Sequence, residues 1–443
     1  MKNNFFKSPN SSNKKYRYTL ADIGKRSVKR GCKTVKEYLY TFFKWLLIAA
    51  LMGAIGGAVG AFFNRCIGYA TEFRQANPII IFGLPIAGLI IVFLYDKFKM
   101  ADNSGANNVI SSVRDEDEIP FAMAPLIFIG TVLTHLFGGS AGREGAALQL
   151  GGSLGSMVGR VLKLDDNDLR VVVMCGMSAV FAALFCTPLT AAFFALEVIS
   201  VGIIHYSGFV PCLFSALASY RLALYFGVTP ETFLIEAIPE LTAVSLTQTL
   251  ILAALCAAVS IIFCIAMHSA HGALDRFIPN AYIRAFIGGA IVVAFTYLCG
   301  SRDYNGAGMD VITRAIEHGD AVWYAFILKI IFTAVTIGSG FKGGEIVPTF
   351  FIGATFGCAV GGLLGMNPSF AAAIGLIALF CGVVNCPIAS IMLGIEMFGS
   401  EGLLLFAAAV AVSYMLSGNF GLYKSQKIIY SKLKTKYINI HSK

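Results

Sequence analysis

Long stretches without any charged residue recur along the whole chain. Asp, Glu, Lys and Arg are absent from 45–64, 75–95, 119–142, 171–196, 241–274, 285–301, 346–395 and 402–423. Most of these stretches reach the roughly 20 residues that a helix needs to cross a bilayer, and 346–395 is long enough for two crossings. The pattern predicts a polytopic α-helical membrane protein.

The composition narrows the class further. Of the 443 residues, 57% are hydrophobic and only 13% are charged, and the mean hydropathy is +0.73. Charged residues make up about a quarter of an ordinary soluble domain, so this chain cannot cover a water-facing surface. Soluble enzymes and DNA-binding proteins are therefore excluded.

The charges at the two ends predict the orientation of the chain. Residues 1–37 carry eleven Lys or Arg and two acidic residues, and residues 424–443 carry six Lys and no acid. Positively charged flanks stay on the cytoplasmic side, so we expect both termini inside the cell membrane. The basic leader is also compatible with nucleic-acid binding, but beside a membrane it is better explained as a contact with anionic lipid. We expect no nucleic-acid partner.

These features divide the chain into three segments. We predict a basic cytoplasmic N-terminal segment at 1–37, a transmembrane domain at 38–423 and a basic cytoplasmic tail at 424–443. The first apolar run starts near Tyr38 without a cleavage pattern ahead of it, so we expect no signal peptide. The first two helices are predicted at Glu37–Phe73 and Pro78–Phe98, and an acidic cluster at 115–118 precedes the third apolar run.

Cysteine and histidine spacing gives no sign of a metal or cofactor site. The 11 Cys are mostly single and lie in apolar runs, and neither a CxxC pair nor an HExxH pattern occurs. A disulfide framework and a zinc site are therefore not predicted. We expect no cofactor and no metal.

An internal duplication divides the transmembrane domain. Each copy has a glutamate among glycines, then a proline 44 or 42 residues later, then a second glutamate after nine more residues. The anchors are Glu144, Pro188 and Glu197 in the first copy and Glu345, Pro387 and Glu396 in the second. This predicts two structural repeats at about 38–226 and 240–423, whose relative orientation, parallel or inverted, the spacing leaves open.

Glycine and proline interrupt the apolar segments in a way that is typical of transporters. In GGSAGREGAAL (138–148) the glycines let consecutive N–H groups converge, and a helix starts after Gly145. A helix start carries roughly half a positive charge and unpaired N–H donors, which makes an anion site. A second start follows Gly343 and Gly344, and a third is predicted to follow SGANN (104–108). Several starts that meet at mid-membrane would hold a small anion.

The predicted site contains its own anion, the carboxylate of Glu144. When ionised it would compete with a transported anion for the same N–H donors, and when protonated it would release them, so it could act as gate and proton carrier. The alternative is a glutamate paired with Arg143 at the membrane edge. Glu345 has the equivalent position in the second copy, so we interpret it in the same way, as a gating and proton-transfer residue. The glutamates that end the two copies, 197 and 396, are as readily explained as helix-end caps or water-facing residues.

Four segments resemble one family. GREGA (142–146) is similar to the GREGP signature of the CLC family of chloride channels and anion/proton antiporters. SGANN (104–108) occupies the place of that family's GSGIP loop, and GSGFKGGEIVPTFFIGATFG (338–357) resembles its third anion-site segment. GLYKS (421–425) lies where the family has its anion-contacting tyrosine, just before a last cytoplasmic helix. The resemblance covers about 38–435. It implies an all-α polytopic fold of two inverted repeats with re-entrant and broken helices, and a homodimer with one pore per subunit.

Departures from the family pattern point to one branch. Ala106 or Asn107 stands where chloride members have a serine, Ala146 replaces a proline, and Val198 stands where proton-coupled chloride members have an inner glutamate. The third segment reads FKGGEIVP rather than GGxFxP. Together these features resemble the fluoride/proton antiporter branch, although Val347 stands where that branch usually has a threonine.

The resemblance implies an antiporter that exports fluoride in exchange for protons. The implied gating and proton-transfer residues are Glu144 and Glu345, and the implied anion-binding residues are Ala106, Asn107, Gly142, Arg143, Gly145, Gly344, Ile346, Val347 and Tyr423. The alternatives are a voltage-gated-type chloride channel and a chloride/proton exchanger of the same family. An intramembrane protease would need a Ser/His or paired-Asp constellation, and none stands out in the sequence, so we expect no enzyme.

Overall fold

The computed structural model describes residues 20–101, 105–115, 118–434 and 436–443, with side chains from residue 34 onward. The start of the predicted N-terminal segment, Ser104 of the first loop and two members of the acidic cluster, Glu116 and Asp117, lie outside the described residues. The chain divides into two compact units, Met1–Leu47 and Ile48–Lys443. Every site discussed below lies in the second unit.

Helices dominate the described part of the chain. They are α1 (Leu20–Ala76), α2 (Leu84–Lys97), α3 (Ala106–Asp115), α4 (Met123–Leu136), α5 (Glu144–Val161), α6 (Asp166–Phe185), α7 (Pro188–Glu197), α8 (Phe209–Tyr225), α9 (Ala243–Phe277), α10 (Ala281–Cys299), α11 (Met309–Glu317), α12 (Ala325–Gly338), α13 (Ile346–Leu363), α14 (Pro368–Val384), α15 (Pro387–Phe398) and α16 (Leu403–Leu416). Short 3₁₀ turns at Pro78–Gly83 and Tyr206–Gly208 precede α2 and α8.

Seven helical stretches among the described residues are long and apolar enough to cross a membrane, and six further apolar helices are shorter. This confirms the predicted multi-pass membrane protein. The second predicted helix is divided, because Pro78–Gly83 forms a 3₁₀ turn and α2 begins only at Leu84. Pro85 lies in the first turn of α2, where its missing N–H leaves no hydrogen bond unmade.

The duplication predicted from the sequence is present in the packing. In the first repeat α5 packs on α6 where Gly151 meets Gly176, and in the second α13 packs on α14 where Gly353 meets Gly375. A Cβ added at Gly151 or Gly353 would lie only 2.2 or 2.5 Å from the facing carbonyl oxygen, so both contacts require glycine. Helices α6 and α14 are buried along nearly their whole length and form the centres of the two repeats.

The chain ends in a small sheet rather than a helix. β1 (Ser200–Val201) pairs in parallel with β2 (Lys427–Tyr430), which pairs antiparallel with β3 (Tyr437–His441). The last cytoplasmic helix implied by the family resemblance is therefore wrong for this chain. β-branched and aromatic residues in KIIY and YINIH favour strands. The predicted tail at 424–443 is folded onto the first repeat through β1.

Candidate functional site

Two broken helices meet head to head at the junction of the repeats. α5 begins at Glu144 and α13 at Ile346, and just before them Gly142 and Gly344 form an antiparallel bridge. The two glycines exchange backbone hydrogen bonds of 2.6 and 2.7 Å. A Cβ on Gly344 would lie 2.4 Å from the Gly145 nitrogen, so only glycine allows this approach. The bridge joins equivalent residues of the two repeats and brings the two helix starts together.

The Glu144 carboxylate accepts hydrogen bonds from backbone N–H groups at both helix starts. Its side chain is fully buried, and Oε2 accepts hydrogen bonds from the backbone N–H of Arg143 at 3.0 Å and of Val347 at 3.1 Å. Val347 belongs to the first turn of the helix in the other repeat. Oε1 is buried and has no hydrogen-bond partner among the described residues. A negatively charged group therefore lies at the point where the sequence predicts an anion site.

Glu345 and Tyr423 lie close to the same point. Glu345 precedes α13 as Glu144 opens α5, and a Cβ added to Gly145 would lie 3.3 Å from its Oε2. Tyr423 is 2% exposed and is close enough to interact electrostatically with both carboxylates. Its hydroxyl oxygen is buried without a hydrogen-bond partner among the described residues. The structure thus brings together three of the predicted residues, although their roles stay predictions.

The first loop contributes a structural contact. α3 begins at Ala106, within SGANN rather than after it as predicted for the third helix start, and the Ala106 side chain is buried. The Asn107 Oδ1 accepts a hydrogen bond of 2.9 Å from the Ser425 N–H, and the Arg114 guanidinium contacts the Ser425 carbonyl. The Asn107 side chain therefore fixes the segment that carries Tyr423, and the sequence did not suggest this use.

The Arg143 side chain contacts other side chains of the protein. Its guanidinium contacts the Glu231 carboxylate and the Asn64 amide oxygen, and it lies 5.6 Å from the centre of the Phe185 ring. Its Nε is 3.8 Å from Glu144 Oε1, which is within ion-pair range but too long for a hydrogen bond. The pairing of Glu144 with Arg143 that the alternative proposed is therefore present, although Glu144 is fully buried and also accepts hydrogen bonds from two backbone N–H groups. Arg143 contributes both its backbone N–H and a nearby positive charge to the site.

The second glutamates of the duplication cap each other's helices. Glu197 accepts hydrogen bonds from the N–H groups of Ile388 and Ala389 at 3.2 and 2.8 Å, in the first turn of α15. Glu396 accepts two hydrogen bonds of 2.8 Å from the first turn of α7. Both are helix caps, as one prediction allowed, but each caps a helix of the opposite repeat. Glu197 is 5% exposed, so the water-facing alternative is wrong for it.

The residue that follows Glu197 is apolar, and its carbonyl group is hydrogen-bonded to a glutamine side chain. Val198 is fully buried, and its carbonyl accepts a hydrogen bond of 3.1 Å from Gln426 Nε2. The same nitrogen donates to the Val384 carbonyl at 2.9 Å, and Asn385 donates to Gln426 Oε1 at 3.1 Å. These contacts fix the chain just after Tyr423. Sequence reasoning missed Gln426 and Asn385 because no motif marks them.

A cavity leads from the surface to the helix starts. It has a volume of about 440 Å³ and extends from the C-terminal end of α1 and the loop before α11 to Arg143 and Val347. Arg74 in this cavity donates a hydrogen bond of 2.6 Å to the His135 carbonyl. The described residues contain no cluster of three or more His, Cys, Asp or Glu that could hold a metal.

The fold and the site define a class: a multi-pass α-helical membrane protein of two repeats, with carboxylates at the helix starts where the repeats meet. Residues 87–418 match the family model described as voltage gated chloride channel. The chain belongs to this family.

Similar proteins agree on the family. The chain is 35% identical to a chloride/fluoride channel protein of Pseudomonas syringae pv. tomato, over 88% of this chain and 87% of that one. It is 26% identical to an H(+)/Cl(−) exchange transporter ClcA of Vibrio campbellii, over 85% and 88% of the two chains. A crystal structure of a CLC-type fluoride/proton antiporter superposes with a TM-score of 0.84 at 30% identity, covering 87% of this chain and 98% of that one. The predicted CLC fold is confirmed.

Proposed function

We propose that the protein is a fluoride/proton antiporter that exports fluoride in exchange for protons. The observation that carries the proposal is the position of the Glu144 carboxylate, whose Oε2 takes the N–H donors of both helix starts. A site that accommodates a carboxylate through backbone amides can accommodate a small anion in its place. The fluoride assignment is supported by the Pseudomonas relative and by the structurally similar antiporter.

Competition between two anions for the same donors couples their movements. Ionised Glu144 must leave the two N–H groups before fluoride can accept from them, and a proton on the carboxylate removes the charge that holds it there. Each release of the side chain then carries a proton, and each return displaces an anion. Glu144 is thus both the gate and the proton carrier of the proposed cycle.

The remaining predicted residues have supporting parts in this proposal. Glu345, beside Gly145, is the central proton or anion partner, and the Tyr423 hydroxyl is a donor for the transported ion. The proposed pathway follows the main chain of Gly142, Arg143, Gly145, Gly344, Ile346 and Val347, and the proposed anion-binding residues also include Ala106 and Asn107 at the start of α3. Because fluoride is small and strongly hydrated, several such donors are needed to replace its water shell.

The membrane arrangement completes the proposal. The basic segments 1–37 and 424–443 place both termini on the cytoplasmic side, where they contact anionic lipid. The transmembrane domain takes up 38–423. By family resemblance the protein is a homodimer in which each subunit has its own pore.

A flux experiment tests the proposal. Purified protein is reconstituted into liposomes loaded with fluoride, and efflux is followed with a fluoride electrode while a pH probe records the lumen. We expect fluoride efflux with simultaneous proton uptake, and much slower efflux from matched liposomes loaded with chloride. Equal chloride flux would favour a chloride channel or chloride/proton exchanger, as the Vibrio relative is named. Fluoride efflux without proton uptake would refute the proposed exchange of fluoride for protons.

A further inference from the structure

A carboxylate outside every recognised motif lies beside the candidate site. Glu231 belongs to the loop between α8 and α9, and its Oε1 contacts Arg143 Nη2. Its Oε2 is buried and has no hydrogen-bond partner among the described residues. Asn64 of α1 contacts Arg143 Nη1, and Arg143 Cζ lies over the Phe185 ring, 5.6 Å from its centre. The Arg143 side chain is therefore held from three sides.

The position and charge of the Arg143 guanidinium determine the electrostatic environment of the Glu144 carboxylate. Arg143 Nε lies 3.8 Å from Glu144 Oε1, so an uncompensated guanidinium would strongly favour the ionised carboxylate in a buried site. A small movement of the guanidinium would also add a hydrogen bond to Oε1, which is now unpartnered. The Glu231 carboxylate opposes both effects, because it neutralises the cation and holds it away from Glu144.

We propose that Glu231 is a positioning residue that neutralises and restrains Arg143, so that Glu144 is held by backbone amides alone and protonation can release it. The inference rests on the proposed function and extends it, since it names the group that sets the pH range of transport. Without Glu231, the positive charge of Arg143 keeps the Glu144 carboxylate ionised and hydrogen-bonded to the two backbone N–H groups. Transport then needs a more acidic medium.

Other titratable groups face this cluster from the neighbouring elements. They are His135 of α4, Cys186 after α6, Glu345 before α13 and Tyr423. The substitutions below leave all of them in place. A difference in pH profile between the variants therefore reports on the Arg143–Glu231 pair.

The test measures fluoride flux as a function of external pH in reconstituted liposomes. Glu231→Gln keeps the shape of the side chain and removes its charge, and we expect the pH of half-maximal flux to move to acid by about one unit or more. Arg143→Gln leaves Glu231 uncompensated, so its profile should move in the opposite direction. The double variant that combines Arg143→Gln and Glu231→Gln has no charge at either position, so its pH profile should return towards that of the wild type. Glu231→Asp keeps the charge and should lie closer to the wild type than Glu231→Gln.

Matched controls separate this inference from the proposed function. Glu240→Gln removes an exposed carboxylate from the same loop and should leave the profile unchanged. A Glu231→Gln profile identical to the wild type, or a double variant that stays shifted to acid, would overturn the role of Glu231 while leaving antiport intact. Should Glu231→Gln fail to assemble, an Arg143→Gln profile that does not move to alkaline pH overturns it equally. A wild type that carries no fluoride would instead contradict the proposed function.

Discussion

Replacing Glu144 by glutamine tests the competition at the centre of the proposed cycle. The substitution preserves the size of the side chain and removes the charge that a proton would otherwise neutralise. Oε2 accepts two backbone hydrogen bonds, of 3.0 and 3.1 Å. Hydrogen bonds to an ionised group contribute about 1.5–3 kcal/mol, against about 0.5–1.5 kcal/mol for neutral pairs. The neutral amide is therefore a weaker occupant of the site.

The size of the effect follows from these two contacts. Removing the charge weakens each of the two hydrogen bonds that hold the side chain in the site by about 1–1.5 kcal/mol, or about 2–3 kcal/mol in total. Because about 1.4 kcal/mol corresponds to a factor of ten, fluoride should bind Glu144→Gln about 30-fold or more tightly at a pH where wild-type Glu144 is ionised. At acidic pH the two proteins should converge, since the wild-type carboxylate is then also neutral.

Calorimetric titration of the purified protein with fluoride, over a series of pH values, measures this directly. In the wild type, affinity should rise as the pH falls and fluoride binding should take up protons, because the two ligands are linked reciprocally. Both dependences should vanish in Glu144→Gln. Glu401→Gln, at an exposed acid far from the helix starts, is the matched control. A Glu144→Gln protein that keeps the wild-type affinity and pH slope would refute the competition.

Four further substitutions address the other carboxylates and the tyrosine. Tyr423→Phe should weaken fluoride binding by about tenfold, since a hydrogen bond to a charged acceptor contributes about 1.5 kcal/mol or more, while the proton-to-fluoride ratio measured in liposomes stays unchanged. Glu345→Gln should lower proton uptake in the same flux assay more strongly than it lowers fluoride binding; a protein with normal proton uptake would remove Glu345 from the proton path. Glu197→Gln and Glu396→Gln should each reduce stability by about 1–3 kcal/mol through their two helix-cap hydrogen bonds, measured by thermal unfolding in detergent with Glu401→Gln as control. A large loss in only one of them would contradict the symmetric capping.

Local signals in the sequence predicted much of the architecture. Charge-free stretches and glycine or proline breaks are properties of neighbouring residues, so they located the membrane helices and the helix starts at Glu144 and Ile346. The duplication predicted the two repeats because the anchor spacing is nearly the same in both copies. The spacing left the relative orientation of the repeats open, and it gave no sign of the bridge between Gly142 and Gly344, which joins residues far apart in the chain.

The missed features depend on long-range contacts. Arg143 and Glu231 are 88 residues apart, and Asn107 and Ser425 are 318 apart, so no periodicity or motif connects them. Reciprocal capping by the second glutamates was hidden for the same reason. At the C-terminal end, strands as short as the four residues Lys427–Tyr430 have no periodicity that separates them from helix. Pairing with β1, more than 200 residues earlier, determines their conformation.

The reversal voltage of fluoride flux tests the central claim most directly. Liposomes with fixed fluoride gradients are clamped at a series of voltages with a potassium ionophore, first at equal pH and then with a pH gradient across the membrane. We expect the pH gradient to shift the voltage at which fluoride flux reverses in the wild type, and Glu144→Ala to abolish the shift. A wild-type reversal that stays at the fluoride equilibrium voltage, whatever the pH gradient, would contradict proton-coupled fluoride exchange.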